Sequence, residues 1–183
     1  MDFFEVYDHH YDRVRRFVLV TVKDDWVADD LVQETFIRAQ KNLDGLRDPS
    51  KLSFWLFGIA HNLCMDYFRR LKSSGERELT DESGMEITGE AHMQKELERR
   101  QMGKCVQDQI DLLPESLRSV IILFDTMGFS HEEIAEVLGI SVENAKVRLH
   151  RARKKLRSIL EEKCTFEMDD RNVLTCEPCD KNK

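Results

Sequence analysis

Ser130-His131-Glu132-Glu133-Ile134-Ala135-Glu136-Val137-Leu138-Gly139-Ile140-Ser141-Val142-Glu143-Asn144-Ala145-Lys146-Val147-Arg148-Leu149-His150-Arg151 is the stretch that decides the fold. Ser130 with Glu133 three residues on reads as a capping box, in which the serine accepts from an orphan backbone N–H and the glutamate reaches back. Ile134, Ala135 and Leu138 face inward on the short helix that follows. Gly139 then permits a sharp reversal, and Ser141 caps the next helix. The small Ala135 lets two helices approach closely at a steep angle, so the pattern is a helix-turn-helix.

In the second helix Val142, Ala145, Leu149, Ala152, Leu156 and Ile159 make the inner face at helical spacing. Lys146, Val147, His150, Arg151 and Lys154 form an outer stripe, flanked by Arg148, Arg153, Lys155 and Arg157. A basic face alone is ordinarily a solvated one. Joined to a cap, a small residue and a glycine turn, it points to the major groove of DNA, where Arg and Lys donate to guanine and flanking cations hold phosphates.

The rest of the chain is acidic. Lys and Arg number 28 against 35 Asp and Glu, a net charge of -7, which argues against nucleic-acid binding through bulk charge. Residues 141–163 run against that trend, with eight basic and three acidic side chains, +5, and residues 47–72 carry five and two, +3. Apolar runs are far below the roughly 18 residues of a membrane span. The N-terminus lacks the order of a signal peptide, and five cysteines are an odd number, so a cytoplasmic location with reduced thiols is expected. Three prolines and eight glycines leave few interruptions, favouring helices.

Upstream, Phe4, Tyr7, Tyr11, Val14, Val18 and Val22, with Phe17, make one face of a first helix. A second buries Val27, Leu31, Val32, Phe36 and Ala39 and turns Asp29, Asp30, Gln33, Glu34 and Arg38 outward. Gly45 and Asp48-Pro49 break the chain before a third helix over about residues 54–71, whose Trp55, Leu56, Ile59 and Leu63 are assigned to the core. Residues 73–92, acidic and aperiodic, read as a flexible linker. The expected fold is all-α, with two small helical domains over 1–72 and 93–163 and a cysteine-containing tail over 164–183.

Three motifs carry a family resemblance. Asp29-Asp30-Leu31-Val32-Gln33-Glu34-Thr35-Phe36-Ile37-Arg38-Ala39 resembles the polymerase-core-binding helix of the sigma-70 family, and Phe54 to Arg70 resembles its -10-element helix. With Ser130 to Leu156, in this order and with this linker, the chain is similar to the two-domain extracytoplasmic-function sigma factors. The resemblance implies a promoter-specificity subunit that docks on the clamp and flap of core RNA polymerase. Core binding would fall to Asp29, Asp30, Leu31, Gln33, Glu34 and Arg38. The -10 element would fall to Lys51, Ser53, Phe54, Phe57, His61, Asn62, Arg69 and Arg70, aromatics and cations of the kind that hold unpaired bases. Lys146, Val147, Arg148, His150, Arg151 and Lys154 would read the -35 element, although Val147 stands where the family commonly has a small polar residue. Promoter DNA and an anti-sigma factor are the further partners implied.

No catalytic motif is present, and neither His61 with Cys64 nor His9-His10 has a full metal-ligand set, so the chain is expected to bind rather than catalyse and to require no cofactor. A stand-alone helix-turn-helix regulator is the alternative. The tail holds Cys164, Cys176 and Cys179, resembling the cysteine-rich extension of CorE-like metal-responsive sigma factors, and these thiols are candidate ligands for zinc or copper. A redox pair Cys176–Cys179 and a tail without function are the other readings. Cys105 and Cys64 fall in helical patterns and are taken as inert thiols.

Overall fold

The computed structural model describes residues 2–46, 48–74, 103, 105–168 and 174–178. Its helices are α1 (Phe3–Val22), α2 (Asp25–Asn42), α3 (Leu52–Ser74), α4 (105–111), α5 (Glu115–Ile121), α6 (His131–Leu138) and α7 (Val142–Lys163). Most of the expected linker lies outside the described residues. Among those described, no helix is long and apolar enough to cross a membrane.

Packing groups Met1–Glu82 with Ile122–Val147 in one compact unit, and Ser83–Ile121 with Arg148–Lys183 in another. In the first unit, Lys23 and Asp24 turn the chain between α1 and α2. Lys23 adopts a left-handed φ of 61° and its N–H closes on Leu19 O at 2.8 Å, while Asp24 Oδ1 accepts from Val27 N at 2.9 Å. Val14, Phe17 and Val18 of α1, Val32 and Phe36 of α2, and Leu56, Phe57, Ala60 and Leu63 of α3 are buried. Two buried threonines join them at no polar cost, because Thr21 Oγ1 donates to Phe17 O and Thr35 Oγ1 to Leu31 O, each at 2.7 Å.

The inner faces depart from expectation at their margins. Phe4 is 73% exposed and Val6 takes the buried place. Ten residues from Val14, Phe4 stands at the edge of the α1 stripe, where Phe3 meets it edge-on at 6.3 Å. On α2 Ala28 is buried and Val27 is only half-buried. Trp55 and Ile59 are likewise half-buried, with consequences for the cleft described below.

The segment Ile122–Thr126 winds as a π-helix, Met127 N–H reaching Ile122 O at 3.0 Å, and Gly128, at a φ of +75°, ends it. In the second unit α5 starts after Pro114, whose carbonyl takes the N–H groups of Leu117 and Arg118. Beyond α7 the tail is not merely an extension of the helices. β1 (Cys164–Met168) pairs antiparallel with β2 (Leu174–Pro178), Cys164 opposite Pro178 and Phe166 opposite Cys176. Cys164-Thr165-Phe166-Glu167-Met168 and Leu174-Thr175-Cys176-Glu177 each alternate apolar and polar residues, a strand signal that reading this segment as a tail passed over.

Candidate polymerase and nucleic-acid interfaces

The helix-turn-helix has the local geometry read from its sequence. Glu133 N–H donates to Ser130 Oγ at 3.2 Å and Ser130 N–H to Glu133 Oε2 at 2.7 Å, completing the capping box. Gly139 takes a φ of +62°, and Ile140 N–H returns to Ala135 O at 3.0 Å. A Cβ at Gly139 would meet nothing within 4 Å, so glycine is required by backbone conformation rather than by space. Asn144 N–H donates to Ser141 Oγ at 3.2 Å, capping α7. Ala145, Leu149 and Ala152 are buried, whereas Lys146, Val147, His150, Arg151 and Lys154 are exposed along the opposite stripe. Arg148 is half-buried beside that stripe.

On α2 the expected core-binding residues divide into four kinds. Asp29 is held by α1, its Oδ1 2.8 Å from Arg15 Nε, and Arg15 also reaches Asp25 at 3.0 Å. These bonds, Asp29 first, raise the pKa of the Arg15 guanidinium. Leu31 packs inward. Glu34 pairs with Arg38 at 2.6 Å, and Asp30 and Gln33 are exposed. The sequence reading missed Trp26, 86% exposed, and Ile37, also exposed. Trp26, Asp30, Gln33 and Ile37 recur at steps of four, three and four, so two apolar side chains flank the polar ones on one stripe. Spacing from Asp30 was the available signal. Tryptophan is among the side chains enriched at protein interfaces, and this one is open to solvent.

The residues expected at the -10 element are more divided. Phe57 is fully buried, its ring 5.4 Å from Phe17 and 4.8 Å from Phe129, with the Arg13 guanidinium 5.7 Å from its centroid and 5.5 Å from that of Phe129. The expectation that Phe57 offers a stacking face is therefore corrected: in this arrangement it is a core ring. Phe54 is half-buried and meets Phe129 edge-on at 6.2 Å. Lys51 Nζ pairs with Glu136 Oε1 of α6 at 2.6 Å, which raises its pKa. A Cβ on Gly58 would lie 3.3 Å from Val137 O, so α3 and α6 come close here. Ser53 Oγ is buried without a hydrogen-bond partner. His61 is half-buried, and Arg69 pairs with Asp66 at 2.7 Å beside exposed Arg70.

Asn62 belongs to a different place. With Arg38, Asn42, Gly45, Leu46, Trp55 and Ile59 it lines an open cleft of about 510 Å³. Trp55, Ile59 and Asn62 share one face of α3 at steps of four and three, and the Arg38 guanidinium and Asn42 amide of α2 complete the lining with Gly45 and Leu46. Trp55 is the aromatic side chain that the assignment to the core concealed.

Among the tail thiols, Cys164 is buried, Cys176 stands in β2 and Cys179 lies outside the described residues. No three His, Cys, Asp or Glu side chains come together as a metal cluster among the described residues. His9 and His10 meet edge-to-face at 5.0 Å, and burial lowers the pKa of His10.

Residues 6–74 match the family described as Sigma-70 region 2, and residues 103–156 match Sigma-70, region 4. The chain is 31% identical to RNA polymerase sigma factor SigZ of Bacillus subtilis over 92% of its own length and 93% of that protein's. It is 36% identical to ECF RNA polymerase sigma factor EcfG of Rhodopseudomonas palustris over 73% and 71%. Among solved structures, the sigma factor RpoE in complex with the anti-sigma factor NepR from Bartonella quintana aligns with a TM-score of 0.64 at 25% identity, over 87% of this chain and 97% of that one. CnrH in complex with the cytosolic domain of CnrY aligns at 0.63 and 28%, over 87% and 88%. The order of the motifs, the helix-turn-helix geometry and the matches to both regions converge: the chain belongs to the extracytoplasmic-function group of the sigma-70 family, the RNA polymerase sigma factors.

Proposed function

We propose that this sigma factor docks on core polymerase through the outer stripe of α2, reads the -35 element with the α7 stripe and receives an unpaired base of the -10 element in the cleft between α2 and α3. The observation that carries the reading is the capped, glycine-turned pair α6–α7, which leaves Lys146, Val147, His150, Arg151 and Lys154 exposed together. The protein supplies binding energy in the cytoplasm, and polymerase supplies the chemistry. An anti-sigma factor is a further partner in this reading, supported by the NepR and CnrY complexes of the similar sigma factors.

Arg151→Ala and Lys146→Ala are expected to weaken promoter binding by about 1–3 kcal/mol each where the contact is bidentate to a base, and to relax specificity there. Arg157, exposed and paired with Glu161 at 2.7 Å, is instead a phosphate candidate. Arg157→Ala should weaken promoter and random DNA alike and lower the salt slope by about one unit. Fluorescence anisotropy of the holoenzyme on both DNAs checks this. Equal losses from all three substitutions on both DNAs would reduce the stripe to an electrostatic surface.

The cleft has its own readout. Trp55→Ala and Asn62→Ala should leave closed promoter binding intact and reduce strand opening, because duplex DNA hides both the base face a tryptophan stacks on and the edge an amide reads. A loss of about 1–3 kcal/mol per stacked base corresponds to roughly a 5- to 150-fold fall in the open complex, read by permanganate reactivity. Undiminished opening would place the base elsewhere. Lys51 pairs with Glu136 and Phe54 meets Phe129, so contacts of either with DNA compete with these intramolecular ones.

A further inference from the structure

Cys105, in α4, and Cys164, at the junction of α7 and β1, lie 59 residues apart in sequence, yet their Sγ atoms are 3.8 Å apart. Neither is in a disulfide. A disulfide needs about 2.05 Å, so closing the pair takes under about 2 Å of relative motion, within the reach of side-chain rotation and a small backbone shift. We infer that Cys105 and Cys164 form a redox site, a thiol pair that a hydroperoxide converts reversibly to a disulfide closing a covalent ring around the helix-turn-helix.

The two cysteines differ in a way that assigns their parts. Cys105 is partly exposed, which gives a small peroxide the better access there, while Cys164 is buried, 5% exposed. The Cys105 thiolate attacks the terminal peroxide oxygen, the O–O bond breaks, and the alkoxide leaves with a proton as alcohol, or as water from hydrogen peroxide. The sulfenic acid so formed is attacked by the Cys164 sulfur; the S–O bond breaks, the S–S bond forms and the hydroxyl leaves as water with the remaining thiol proton. Two thiols are oxidised by two electrons and one peroxide is reduced. Cys64 has no partner thiol among the described residues and no access: it is buried in α3, and burial pushes its thiol up to about 12.

The linkage joins the start of the region 4 match to the residue that follows the DNA-reading helix. The ring holds α5, the π-turn, α6 and α7 between its ends. It removes conformational freedom from the unfolded chain over a long loop, and a dithiol restores that freedom. The site does not rest on the DNA reading, since its formation is read from the protein alone.

The test treats the full-length reduced protein with hydrogen peroxide and maps its peptides by mass spectrometry without reduction. The expected result is a Cys105–Cys164 cross-linked peptide that dithiothreitol reverses, with a rise in melting temperature of roughly 5–15 °C. Cys105→Ser should abolish both, while the double substitution Cys176→Ser and Cys179→Ser should leave both in place. Because the wild-type map is read directly, misfolding of a Cys164 variant does not affect the outcome. A Cys176–Cys179 bond in place of Cys105–Cys164, irreversible oxidation of Cys105 alone, or thiols protected by co-purified zinc or copper would each overturn the inference.

Discussion

Replacing Asp30 and Glu34 together with lysine is expected to abolish assembly of this chain with core polymerase while leaving it folded. Asp30 is exposed on the outer stripe of α2, and Glu34 is half-buried beside it in a surface pair with Arg38. Losing that pair costs the fold little, since exposed ion pairs contribute at most modestly. Reversing the charge at the docking face proposed above is another matter, because a surface complementary to the acidic stripe is basic and like charges brought together at an interface cost several kcal/mol, a fall in affinity of roughly a hundredfold or more. Asp29 is unsuitable for this experiment because its bond to Arg15 ties α2 to α1. Trp26→Ala tests the same surface through its apolar component and should weaken assembly as truncation of an exposed aromatic anchor does, by about 2 kcal/mol. Circular dichroism verifies the fold and surface plasmon resonance on immobilised core measures affinity. Normal affinity in the double variant would remove α2 from the interface.

Phe57→Ala should act on stability before it acts on transcription. The ring is fully buried between Phe17 and Phe129 and lies beneath the Arg13 guanidinium. Truncating such a ring leaves a cavity and costs about 3–5 kcal/mol, a large fraction of what holds a small domain together. Urea denaturation should show the midpoint falling sharply, whereas Phe54→Ala, at a half-buried ring, should show a much smaller change. A Phe57→Ala protein with unaltered stability and a defect confined to strand opening would return Phe57 to the DNA-facing surface.

Phe57 illustrates where sequence stops informing. Phe54, Phe57 and His61 recur at helical spacing next to cations, which is also how a platform for unpaired bases is written. Periodicity places them on one face of α3 but does not say what covers that face. The covering group is Phe129, 72 residues beyond Phe57 in the chain, and only tertiary packing brings it there. Capping and turning are the opposite case. Ser130, Glu133, Gly139 and Ser141 act on backbone atoms within five residues of themselves, so their roles could be read without a fold.

The other departures have the same cause. Asp29 and Asp30 are adjacent carboxylates on one helix, but Arg15 of another helix engages the first and leaves the second exposed. Trp55 keeps the spacing of a core residue, and what opens it is the turn around Gly45 and Leu46, whose path periodicity does not describe. The cysteines at 105 and 164 look inert or tail-bound when each is judged by its own segment. Their meeting is a long-range contact, and the C-x-x-C spacing that drew attention to Cys176 and Cys179 gave no sign of it.

The most direct measurement is to assemble holoenzyme from core polymerase and this chain, wild type or Arg151→Ala, and to sequence the genomic fragments it retains and the 5′ ends of the transcripts it starts. Wild-type holoenzyme should select a recurring bipartite element, one half near -35 and one near -10, absent with core alone, and Arg151→Ala should relax preference in the -35 half while leaving the -10 half sharp. Selection of duplex sites by the chain without polymerase, or loss of preference in the -10 half on mutating Arg151, would contradict the account.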